Sequence, residues 1–188
     1  DGGIALLARG YALLTDVEVK GNSIRGALYS GISFGMVPVN AHTTPSNQLQ
    51  MPKTVVSDND IQQLRLAASA TFSETFGIMP RVLIDTAQSD VAKINPLRNF
   101  VVSNNRIGTR PVAPDSQETG VDWGVLFALT DVDSVPNRAA VDMFMSSVTN
   151  NTINTQYSAV AIDQDATTLT PGRARLENIT ISGNHCFR

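Results

Sequence analysis

Three aspartates are the residues whose spacing best suits chemistry. Asp85, Asp131 and Asp163 each close a short apolar run: Leu83-Ile84-Asp85, Leu129-Thr130-Asp131 and Ala161-Ile162-Asp163. If Ile84 and Ile162 point into a core, the aspartates point out. On stacked parallel strands such groups stand about 5 Å apart between neighbours and about 10 Å apart across two layers. Those separations bracket the carboxylate pairs that cleave glycosidic bonds, so these three aspartates are the candidate catalytic residues. Asp133 and Asp165 add Asp-x-Asp pairs suited to a ligand hydroxyl or a hard cation such as calcium. No other cofactor is implied. Aspartate also simply favours the place where a strand becomes a connection, and Asn40 holds the matching position in an earlier run.

Aromatic residues recur nearby. Trp123, Tyr157 and Phe76 each precede a small residue and an apolar strand. Trp123 and Tyr157, with Asp133 and Asp165, are therefore the candidate ligand-binding residues. Rings at this place either form a stacking platform for sugars or pack a returning loop against the body of the protein. His42 and His185 share no metal-ligand spacing, and no metal site is expected from them. The single cysteine, Cys186, excludes an internal disulfide. It fills a slot held elsewhere by isoleucine, which predicts a buried thiol.

These side chains need a frame, and the frame repeats. Phe100-Val101-Val102-Ser103-Asn104-Asn105-Arg106-Ile107 has alternating apolar residues, an asparagine, and an aliphatic residue two positions later. The phrase recurs as Val17, Val19, Asn22, Ile24; Thr54, Val56, Asn59, Ile61; Ser146, Val148, Asn151, Ile153; and Ile179, Ile181, Asn184, Cys186. Alternation of period two marks strands with one inward face. A fixed phrase separated by variable segments marks a solenoid of stacked strands, here an all-β parallel β-helix of about four to five coils. Asn22, Asn59, Asn105, Asn151 and Asn184 would then stand one above another as an asparagine ladder. Asparagine tolerates left-handed backbone angles, and its amide both donates and accepts hydrogen bonds.

A second set of strands begins at Gly31, Gly77, Gly124 and Ser158, with Gly3-Ile4-Ala5-Leu6 fitting the same slot. From the end of this strand to the next asparagine the chain runs within about two residues of twenty. The return path varies widely, which gathers long loops along one edge, where recognition is usually built. Residues 62–76 have the composition of a short helix; residues 108–123, with Pro111, Pro114 and Gly120, read as irregular loop.

One domain spans residues 1–188. Its first and last residues fall within repeats, and it reads as a piece of a larger protein whose flanking parts are partners. A net charge of −3 offers nothing to nucleic acid, and no apolar run is long enough to span a membrane.

With these features assembled, the chain resembles the right-handed parallel β-helix superfamily of pectate lyases and phage tailspikes. The Val-x-Val-x-x-Asn-x-Ile phrases carry the likeness. It implies a right-handed coil, an extracellular, cell-surface or virion-surface location, oligosaccharide bound on the outer face of one sheet, and trimerisation as in tailspikes. The superfamily's enzyme motifs are mostly missing: Thr109-Arg110-Pro111-Val112-Ala113-Pro114 lacks the second arginine of the lyase phrase. The expectation is therefore a rigid stalk or adhesin-like module binding carbohydrate at its loop edge. The alternative is a polysaccharide lyase or glycosidase using the aspartates.

Overall fold

A computed structural model describes residues 3–9, 14–37, 51–62, 64, 74–82, 94–109, 120–128, 141–163 and 174–187. Alternating apolar residues between tight corners make short strands. The first repeat supplies β1 (Ile4–Arg9), β2 (Glu18–Lys20) and β3 (Ser23–Arg25); the second, β4 (Ser30–Val37), β5 (Val55–Ser57) and β6 (Asp60–Gln62). The third supplies β7 (Phe76–Val82), β8 (Ile94–Arg98), β9 (Val101–Ser103) and β10 (Arg106–Ile107). The fourth adds β11 (Trp123–Ala128), β12 (Val141–Phe144), β13 (Ser147–Thr149) and β14 (Thr152–Asn154). The fifth adds β15 (Ser158–Asp163), β16 (Ala174–Glu177), β17 (Thr180–Ser182) and β18 (His185–Phe187). Among the described residues there is no helix. Most of 62–76, read as helical in composition, lies outside them.

Like strands of successive repeats lie side by side. The first sheet runs β1-β4-β7-β11-β15, the second β8-β12-β16, the third β2-β5-β9-β13-β17 and the fourth β3-β6-β10-β14-β18. Every pairing between described strands is parallel. The fold is all-β, and its stacked parallel sheets are consistent with a solenoid.

Two corners per repeat use left-handed residues. One column is Asp16, Lys53, Asn99, Met145 and Asn178, with φ from 48° to 58°; the other is Gly21, Asp58, Asn104, Asn150 and Gly183, with φ from 55° to 68°. Each non-glycine residue there costs roughly 1–2 kcal/mol of backbone strain. The geometry aims each amide at the next repeat: Asp58 N–H donates to Ser103 O at 3.2 Å and Asn99 N–H to Phe144 O at 3.0 Å. The left-handed residue is thus the one preceding Asn22, Asn59, Asn105, Asn151 and Asn184. The backbone reason offered for those five belongs to their neighbours.

What the five asparagines do is hydrogen-bond one another. The Nδ2 of Asn22, Asn59, Asn105 and Asn151 donates to Oδ1 of the next asparagine at 3.0, 2.9, 3.0 and 2.9 Å. The backbone N–H of each donates to the same oxygen. Spare amide hydrogens reach the preceding repeat, as in Asn105 Nδ2 to Val56 O at 2.9 Å. Asn59, Asn105 and Asn151 are buried, and each polar group needs such partners.

The core lies inside the strands. Phe34, Phe100 and Phe127 stack edge to face, with centroids 5.2 and 5.9 Å apart. Phe100 has room because the equivalent places are small, Thr54 and Ser146, both buried. Most residues expected to face inward do so, including Val19, Ile24, Val56, Ile61, Val102, Ile107, Val148 and Ile153. Ile181, in register with Val148, is nevertheless 53% exposed. Cys186 is likewise exposed, not buried as its isoleucine slot predicts. Both lie in the fifth repeat, whose strands are outermost in their sheets.

Glycine supplies one further fit. A Cβ on Gly31, Gly77 or Gly124 would fall within 2.6 Å of the Cγ2 of Ile61, Ile107 or Ile153 respectively, and within 2.8 Å of the carbonyl of the next residue in the row. The first sheet therefore presses directly on the fourth. The pairings Trp123↔Ser158 and Val125↔Val160 place Ala159, not Ser158, in this row.

Candidate functional site

Side chains alternate along the first sheet. Ile78, Val125 and Phe127 enter the main core, whereas Met79, Leu126, Ala128 and Ala161 join a second cluster with Phe76 and Trp123. Period-two geometry puts Met79, Leu126, Ala128 and Ala161 on the opposite face; Phe76 and Trp123 pack with them although they precede Ile78 and Val125 by two residues, so alternation does not extend to the start of these strands. The rim of this cluster is aromatic. The rings of Trp123 and Tyr157 lie 5.6 Å apart at an interplanar angle of 53°, within the range for favourable ring pairs. Tyr157 is 51% exposed, Trp123 is partly buried, and Phe76, in the same cluster as Trp123, is buried.

Hydrogen bonds hold the pair in place. Trp123 Nε1–H donates to Glu74 Oε2 at 2.9 Å, which fixes the indole in its plane. Tyr157 N–H donates to Asp122 O at 2.9 Å, and Trp123 N–H to Thr75 O at 3.0 Å. Asp122 Oδ2 accepts from both the N–H and the hydroxyl of Thr75, at 2.8 and 2.9 Å. Asp122 N–H donates back to Thr75 Oγ1 at 3.1 Å. The loops entering β7 and β11 are thereby locked side by side. Sequence reading missed Glu74, Thr75 and Asp122. A signal was present, since Thr75 and Asp122 each immediately precede the aromatic that opens a first-sheet strand.

Of the acidic candidates, Asp163 alone lies among the described residues. Asp163 ends β15 and is exposed. Strand register pairs it with Ala128, which pairs with Arg81, then Gly35, then Leu7. Asp163 is therefore level with Ala128. Burial depresses the basicity of Arg81 in that row. Asp85, Asp131, Asp133 and Asp165 lie outside the described residues, as does His42. His185 is exposed and packs edge-on against Phe187 at 5.4 Å. Among the described residues no group of three or more His, Cys, Asp or Glu could hold a metal ion, and no helix is long and apolar enough to cross a membrane.

Comparison with known proteins finds no matching family model, no matching curated protein and no matching solved structure.

Proposed function

We propose that the chain is a segment of right-handed parallel β-helix with an asparagine ladder, serving as a rigid module of an extracellular or virion-surface protein. On this reading it takes carbohydrate on the face that carries Trp123 and Tyr157. The observation that carries the proposal is the ring pair itself. One ring is clamped by a carboxylate and the other half-open to solvent, and the first of them packs with Met79, Leu126 and Ala161. Rings held this way offer an apolar face to the C–H side of a sugar at little conformational cost. Rigidity follows from stacked parallel strands that buttress one another across every sheet.

The test is a glycan-array screen of the intact chain and of Tyr157→Ala, with far-ultraviolet circular dichroism as the control for folding. Glycan signals that fall about tenfold or more in the variant support the reading, corresponding to a ring contact of roughly 1.4 kcal/mol. An array with no signal, or signals indifferent to Tyr157, rules it out.

A further inference from the structure

We infer that the carbohydrate taken on Trp123 and Tyr157 carries a protonated amine: an amino-sugar oligomer, as opposed to a polyuronate or a neutral glycan. The inference rests on the carbohydrate reading above and narrows it. The carboxylate of Glu74 lies at the edge of the indole, bound through Oε2 to Trp123 Nε1–H. A carboxylate has about four acceptor sites, so Glu74 retains capacity to accept from a ligand while it holds the ring. Asp122 supplies the backbone oxygen that positions Tyr157, and its own carboxylate sits one residue from Trp123, held against Thr75. Among the described residues of this bracket, Glu74 and Asp122 are both acidic.

The ring faces act in the same direction. Indole and phenol rings present negative potential to a cation over their faces. A positively charged amine beside the rings would meet their faces and the Glu74 carboxylate together. An anionic sugar would meet the like charge of the Glu74 carboxylate at the indole edge. The pyranose ring supplies apolar contact to either aromatic, so the sign of the substituent decides between sugars.

Trp123 is the only tryptophan in the chain, so its fluorescence reports this site alone. The intact protein is titrated at low salt and mildly acidic pH with glucosamine oligomers, with N-acetylglucosamine oligomers and with galacturonate oligomers of equal length. The expected result is a saturable emission change with the free-amine oligomer at a Kd about tenfold or more below that of the acetylated one. The uronate should give no change. Added salt should weaken the response. Glu74→Gln keeps an oxygen for the indole N–H but removes the charge. It should abolish most of the preference for the free amine over the acetylated oligomer. Equal or tighter binding of the acetylated or uronate oligomer overturns this inference and leaves the carbohydrate reading standing. Silence toward all three, on a protein whose circular dichroism is intact, overturns both. An equal response to lysine oligomers overturns the assignment to a sugar.

Discussion

Asn105 shows how much a single side chain can be asked to do. Its Nδ2 donates to Val56 O, Ser103 O and Asn151 Oδ1, and its Oδ1 accepts from the backbone and side chain of Asn59. Asn105→Leu strands those partners in a buried setting and should lower stability by about 1–3 kcal/mol, read as a shift in the urea midpoint at unchanged slope. A neutral result would mean that the row contributes no net stability. Gly77 makes the opposite argument, from a missing atom. Its Cβ would sit 2.6 Å from both Gly124 O and Ile107 Cγ2, so Gly77→Ala should cost about 1–3 kcal/mol by overpacking. The fifth repeat already contains the compensated version. Ala159 stands in the glycine row, and Cys186, in register with Ile153, lacks a branched Cγ2. The double variant Gly77→Ala/Ile107→Cys should therefore lose less stability than the sum of the two single changes, in a double-mutant cycle of urea unfolding.

At the level of strands, the same phrase has different worth according to what lies on either side. Val148 on β13 is 1% exposed, whereas its register partner Ile181 on β17 is 53% exposed. Val148→Ala should cost on the order of 2 kcal/mol, and Ile181→Ala less than about 0.5 kcal/mol, although sequence alone ranks them alike. Amide exchange should follow the same gradient. The Asn105 N–H donates to Asn151 Oδ1 at 2.9 Å within buried strands. Asn184 occupies the outermost position of the row, beyond which no described strand lies. Its amide should exchange at least about a hundredfold faster than that of Asn105. Equal protection of the two would contradict the assigned strand order.

At the scale of the molecule, two faces of one sheet divide the labour. The inner face joins the main core through Ile32, Phe34, Ile78, Val125 and Phe127, and the outer face carries Met79, Leu126 and Ala161 beside the Trp123–Tyr157 rim. Burial of the inner face contributes roughly 1.5–3 kcal/mol per large apolar side chain, so exposed positions beside the outer face can be altered without unfolding the body. Tyr157→Ala, at an exposed position, should accordingly shift the thermal midpoint little while changing glycan recognition.

Much of this frame was legible in the chain itself. Val-x-Val-x-x-Asn-x-Ile recurs with an internal spacing that strand alternation and a tight corner impose locally, so parallel strands with inward aliphatics and a row of asparagines could be read directly. Register along the first sheet could not be read to its last strand. It pairs residues such as Phe76 and Trp123, or Ala128 and Asp163, across connections of unequal length. No local rule says which residue of one repeat lies beside which residue of the next. Ala159, and not the Ser158 that follows an aromatic as Gly77 and Gly124 do, stands in the glycine row. The clamp of Glu74 on Trp123 and the interlock of Thr75 with Asp122 exist only once distant segments are side by side. Chain chemistry determined the strand, the corner and the carboxamide. Long-range pairing decided which side chains meet and which remain in water, because burial depends on what stacks above and below a residue.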